Sequence, residues 1–137
     1  MTKTYKGSCH CGSVQFEIDS DLAEVQDCDC SICRRRGALY HHVEAANFRL
    51  LKPVPSTIDN NTHGLIIYQF NTRVAKDYIC PVCGILPFRR PRIGPERWTI
   101  NVRCLEGVSL EDLNIVKGFG SKLSVVDGFA SSGPGPS

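Results

Sequence analysis

Cys28-Asp29-Cys30-Ser31-Ile32-Cys33 places three thiols within six residues, a C-x-C and a C-x-x-C sharing their middle cysteine. Spacing this tight lets one turn aim several sulfurs at a point, as a thiolate metal site requires. The count of three is informative. A structural zinc closes its tetrahedron with protein groups, whereas a reactive zinc keeps one position for water or substrate. Two further pairs, Cys9/Cys11 and Cys80/Cys83, supply four thiolates elsewhere, so seven of the eight cysteines divide into a closed set and an open one.

Around the first pair the chain alternates in polarity, weakly over Thr4 to Ser8 and cleanly over Ser13 to Asp19, where Val14, Phe16 and Ile18 share a face. The pattern predicts a hairpin with the cysteines at its bend and Gly12 free to take a positive φ. After the trio, Arg34 to Ala38 continues as one helical turn that stops near Gly37. Tyr40 to Val43 and Phe48 to Leu51 read as short strands, and Pro53, Pro55, Asn60, Asn61 and Gly64 mark a surface loop. Leu65 to Phe70, rich in β-branched and aromatic residues, predicts a buried strand. Val74 to Ile79 and Trp98 to Cys104 predict two more. Pro87, Phe88 and Pro91 suggest an irregular wall around Arg89, Arg90 and Arg92. Ser109, with Asp112 three residues on, is the one helix start. The expectation is a mainly β domain of many short strands over residues 1–130, with a flexible tail over 131–137.

A chain of 137 residues, 42% hydrophobic and 22% charged, fits one globular domain. A net charge of +2 gives no argument for a nucleic-acid partner. No run approaches the roughly 20 apolar residues of a membrane span, and Met1 to Lys6 lacks the apolar core of a secretory signal. The expected setting is the reducing cytoplasm, where cysteines favour metal over a disulfide framework.

Cys9, Cys11, Cys80 and Cys83 then form a structural zinc site joining strand ends far apart in sequence, which contributes folding free energy directly. A thioredoxin-type redox pair at Cys80/Cys83 is the alternative, but Gly84 and Pro87 oppose the helix that such a pair needs. Three thiolates at Cys28, Cys30 and Cys33 give a zinc that is a weak Lewis acid and accepts a further soft sulfur readily. That predicts a small-molecule thiol as substrate, held as thiolate for attack on an aldehyde carbon. Asp29, His41, His42, His63 and Cys104 are candidates to close the trio instead, although Cys104 alternates with Val102 and Ile100 like a buried apolar residue. His10, between two ligands, is read as oriented by its local turn. Arg34, Arg35 and Arg36 are either a solvated face or a binding site for the carboxylates of an anionic thiol such as glutathione. Asp77 and His41 are candidate general bases.

Gly7-Ser8-Cys9-His10-Cys11-Gly12, the trio stretch, Tyr78-Ile79-Cys80-Pro81-Val82-Cys83-Gly84 and Ile100-Asn101-Val102-Arg103-Cys104-Leu105 together resemble the glutathione-dependent formaldehyde-activating enzyme family, which includes centromere protein V-like proteins. The similarity runs from about residue 4 to 113. It implies a β-tent of short antiparallel strands, a structural zinc on Cys9, Cys11, Cys80 and Cys83, and a labile second zinc on Cys28, Cys30 and Cys33. The implied activity is that of a carbon–sulfur lyase joining formaldehyde to glutathione as S-hydroxymethylglutathione. Family members often carry a histidine where this chain has Asp77. A non-catalytic zinc-stabilised binding module and a thiol-based reductase using Cys104 or a trio cysteine are the rival expectations.

Overall fold

The computed structural model describes residues 2–52, 65–70 and 72–118. The expected surface loop and tail, and His63, lie outside these residues. Alternation of Phe16 and Ile18 with polar neighbours builds β2 (Gln15–Ser20), which pairs antiparallel with β1 (Lys3–Ser8) across the predicted cysteine bend. Phe48–Lys52 (β5) adds to the other side of β2, completing a three-stranded sheet ordered β1-β2-β5. The remaining strands form a seven-stranded sheet. In chain order they are β3 (Val25–Cys28), β4 (Tyr40–Val43), β6 (Ile66–Tyr68), β7 (Lys76–Ile79), β8 (Phe88–Arg90), β9 (Trp98–Asn101) and β10 (Ile115–Gly118). Their order in the sheet is β10-β3-β4-β9-β8-β7-β6. The one α-helix among the described residues, α1 (Ser31–Arg36), follows β3 and ends on Gly37, which takes φ +67° and donates its N–H to the Cys33 carbonyl.

The sheets meet over a core of aromatic rings. Phe16 packs edge-on to Phe88 at 5.6 Å, and Phe48 stacks on Trp98 at 4.5 Å. Contacts of this kind add to area burial. Gly7 has no side chain because the Phe16 ring occupies the space a Cβ would need.

Several sequence expectations are corrected. The architecture is mainly β and largely antiparallel, but β10 pairs with β3 in parallel. Ile66 and Tyr68 are exposed, because β6 is the edge of its sheet rather than a buried strand. The strand predicted over Trp98 to Cys104 stops at Asn101, whose side chain accepts from the Arg103 N–H and turns the chain into a 3-10 helix at Val102–Cys104. Ser109 makes no side-chain capping bond and starts only the 3-10 turn Leu110–Asp112. The irregular wall at Phe88 is strand β8, inside the sheet, with Phe88 at the centre of the core. Among the described residues no helix is long and apolar enough to cross a membrane.

Candidate metal centres and the cavity beside them

Two tight turns build the first centre. After β1 the Cys9 N–H donates to the Val14 carbonyl at 3.0 Å, and Gly12 takes φ +84°. After β7 the Cys80 N–H donates to the Ile85 carbonyl at 2.9 Å, and Gly84 takes φ +78°. Each turn therefore ends in a backbone state that glycine adopts without steric cost. The turns meet so that the sulfurs of Cys9, Cys11, Cys80 and Cys83 lie within 4.8 Å of one another. Cys9 and Cys11 sulfurs are 3.7 Å apart, and those of Cys11 and Cys80 are 3.6 Å apart. A disulfide would hold them at ~2.05 Å. A tetrahedron with metal–sulfur bonds of ~2.3 Å has an edge of ~3.8 Å, which these separations approach. Burial acts to raise the Cys83 thiol, but the N–H groups of Ile85 and Cys11 aimed at its sulfur, with Cys80 and Cys9, bring it down to about 6. The donor set fits a tetrahedral thiophilic cation such as zinc.

The second centre is local. Cys28 ends β3, Cys30 caps α1 by accepting from the Cys33 N–H at 3.4 Å, and Cys33 sits in the helix's first turn. All three sulfurs lie within 4.8 Å of one another. Cys30 and Cys33 are buried. Their proximity, Cys28 first and then Cys30, raises the Cys33 thiol well above its ordinary range. Three sulfurs so crowded become thiolates together when a cation compensates them, so this set also fits a thiophilic metal. Among the described residues no fourth ligand atom joins them.

A cavity of about 530 Å³ opens beside the trio, reaching Cys28, Cys30 and Cys33. Its walls carry Arg89, Arg92, Arg97 and Lys117, and no carboxylate among the described residues. Gln26, Tyr40, His42 and Thr99 complete the polar lining. His42 Nδ1 lies 2.7 Å from Thr99 Oγ1. Burial, and then the charges of Arg97, His41 and Arg89, lower its pKa to about 4, so the imidazole is neutral at pH 7.

Asp77 lies behind this wall, fully buried. Its two oxygens accept from Arg36 Nη1 at 2.8 Å and Arg89 Nε at 2.5 Å. It thereby fastens the helix carrying Cys33 to the strand carrying Arg89, and it does not line the cavity. Its carboxylate is thus a clamp rather than a base open to substrate.

The other candidates fall as follows. Arg34, Arg35 and Arg36 do not line the cavity. Arg35 donates to the Ser31 carbonyl within α1, and Arg36 is committed to Asp77. His41 is held between the Glu24 carbonyl and Ser20 Oγ, each at 2.7 Å. A carbonyl only accepts, so His41 Nδ1 carries the proton. Cys104 lies by the quartet, not the trio. Burial, then the charges of Cys9 and Cys83, push its thiol up to about 12, the reverse of an activated nucleophile. Arg97, Lys117 and Gly118 were absent from the sequence reading of the site. The cationic spacing gave no signal for them, because Arg97 comes from the loop between β8 and β9 and β10 reaches the trio only through its pairing with β3. The Asp29 N–H donates to the Gly118 carbonyl, and Gly118 lies close against Cys28, where a Cβ would sit 3.3 Å from its Cα.

A mainly β domain with one four-sulfur and one three-sulfur cluster, the latter on a cationic cavity, defines a class of proteins with two candidate thiophilic metal centres. The family model of the glutathione-dependent formaldehyde-activating enzyme matches residues 4–115, and the chain belongs to that family. It is also similar to a protein of Rhodobacter sphaeroides known from its crystal structure, with 36% identity and a TM-score of 0.68. That match covers 81% of this chain and 99% of the other.

Proposed function

We propose that this chain is a zinc-dependent enzyme of the carbon–sulfur lyase type that joins glutathione, or a related thiol, to formaldehyde or another small aldehyde. The observation that carries the reading is the trio's opening onto a cavity with four cationic wall residues and, among the described residues, no acidic one. In this reading zinc on Cys9, Cys11, Cys80 and Cys83 holds a β-tent fold. Zinc on Cys28, Cys30 and Cys33 would supply a contact that favours the substrate sulfur as thiolate.

The protein's own part is binding and orientation. Wall arginines are suited to the thiol's carboxylates through paired charge-assisted hydrogen bonds. Arg97 and Lys117 take the part that the sequence alone assigned to Arg34, Arg35 and Arg36. His42, neutral on the wall with its pKa lowered to about 4, offers a hydrogen-bonding group there rather than a proton carrier, and the thiol proton reaches the aldehyde oxygen through solvent. Asp77 holds Arg89 and α1 in register with the trio. The test is exchange NMR on formaldehyde and glutathione, with and without the metal-loaded protein. Faster exchange into S-hydroxymethylglutathione supports the reading; an unchanged rate with two metals bound per chain removes it.

A further inference from the structure

We infer that the carbonyl partner is an aldehyde bearing a carboxylate next to its carbonyl, of the 2-oxo-acid type, with the carboxylate received by Tyr40, Arg89 and Arg92. The inference rests on the thiol-addition reading above and names its second substrate.

The Tyr40 hydroxyl, Arg89 Nη2 and Arg92 Nη1 are buried without a hydrogen-bond partner among the described residues. All three residues line the cavity that reaches the trio. Folded chains match nearly all buried donors, so three unmatched ones on a single cavity call for an outside acceptor. Guanidinium groups only donate, and a phenol has a hydrogen to give. The complementary ligand is therefore rich in acceptors and negatively charged.

Position decides which substrate brings that charge. Tyr40, 3% exposed, packs in one cluster with Cys30 and Cys33. Arg89, 7% exposed, is anchored through Nε by Asp77, and its guanidinium carbon lies 5.8 Å from the Tyr40 ring centre. Tyr40 and Arg89 thus stand next to the sulfurs, where the reacting carbon must sit, and Arg92 lines the same cavity. Formaldehyde has no charge for them to recognise. Arg97, whose Nη2 also donates to the Ile93 carbonyl, and Lys117, which lies 3.4 Å from Asp27, stand on the walls for the thiol's own carboxylates.

The step balances without any oxidant or reductant. The substrate sulfur forms a bond to the carbonyl carbon, the π pair of the C=O bond moves to oxygen, and the thiol proton ends on that oxygen. The carboxylate passes through unchanged and serves only for recognition.

The experiment compares glyoxylate with acetaldehyde, each with glutathione on the metal-loaded protein, by exchange NMR relative to the uncatalysed rate. Acceleration is expected to be about tenfold greater for glyoxylate, the effect of one charge-assisted hydrogen bond gained. Tyr40→Phe and Arg92→Gln should each draw that ratio toward one. Tyr40→Phe should leave the melting temperature unchanged or raise it, because it deletes a buried hydroxyl that has no partner. A tyrosine with a merely structural role would lower the melting temperature and leave the ratio alone. Equal acceleration of both aldehydes, or a ratio unmoved by Tyr40→Phe, overturns the inference. Calorimetric titration with glycolate, which cannot react, separates the two readings. If neither aldehyde is accelerated, thiol addition fails as the function. Glycolate binding that Tyr40→Phe weakens by about tenfold then upholds the carboxylate pocket, and glycolate binding that is absent or unmoved by the variant overturns that as well.

Discussion

The two cysteine clusters use one residue type and differ in what surrounds it. The quartet draws its sulfurs from two turns nearly 70 residues apart, with Cys11 exposed to solvent. The trio draws its sulfurs from six consecutive residues, with Cys30 and Cys33 buried and a cationic cavity beside them. A metal at the quartet closes a long loop and so removes much chain entropy from the unfolded state. A metal at the trio closes a short one and holds together what the chain has already placed side by side. The same chemistry therefore stabilises the fold at one site and is free to serve a ligand at the other.

The sharpest way to break this contrast is one substitution at each cluster. Cys80→Ser should leave the chain unfolded, since structural zinc binding releases about 10–16 kcal/mol and a domain this size has only about 5–15 kcal/mol of net stability. Cys28→Ser should keep the far-ultraviolet circular dichroism of the wild type, with one metal fewer per chain by elemental analysis and no aldehyde–thiol exchange. A folded Cys80→Ser protein with cooperative melting would erase the distinction.

Asp77 gives the next largest effect. It is buried between Arg36 and Arg89, and Asp77→Ala strands both guanidinium groups without a counter-charge. Breaking a buried pair in this way costs about 3–5 kcal/mol. Urea denaturation should show that loss. Because Arg36 lies three residues after Cys33 on α1, the trio should also release its metal faster to a chelator, while the quartet keeps its own. Equal loosening of both sites would mean that Asp77 serves the fold as a whole.

The division of the cysteines was legible in the sequence because ligand spacing is a local property. Cys9/Cys11 and Cys80/Cys83 each fix a turn, and Gly12 and Gly84 follow at the positions where a left-handed backbone is needed. The end of α1 at Gly37 was readable for the same reason. The cavity was not. Its cations come from β8, from the Pro91 to Arg97 loop and from β10, and only the sheet order brings these beside β3 and β4. Pro87 and Pro91 read as breakers, yet they sit just outside a three-residue strand and cost it no ladder bond. The run Arg34-Arg35-Arg36 was conspicuous because its charges are adjacent, but adjacent residues on a helix point in different directions. Arg36 turns inward to Asp77 and Arg35 folds back onto Ser31.

A gentler probe sharpens the same contrast without altering a residue. Mild chelation should remove one metal equivalent per chain, that of the trio, and abolish exchange activity. The melting temperature should fall by only a few degrees, in line with the modest linkage expected from a weakly held ion. Elemental analysis of the chelated protein beside its circular dichroism spectrum checks both halves. Simultaneous loss of both metals with the fold would contradict the comparison.

The smallest expected effect belongs to His42, which sits on the trio's cavity. Its folded pKa is lowered to about 4, by burial first and then by Arg97. In the unfolded chain a histidine titrates near ~6.5. Between these values the unfolded state binds the proton and the folded state does not, so stability rises with pH across the window. The contribution is complete above about pH 6.5 and is lost as the pH falls toward 4. His42→Gln removes the titrating group, so its melting temperature should fall less steeply than that of the wild type over that range, while the two proteins run parallel above it. Thiolate protonation at the metal centres affects both proteins alike and cancels in the difference. Identical slopes would show that His42 is solvated and carries its ordinary charge. The cavity wall would then not be the dry, cationic surface from which the trio's chemistry has been argued.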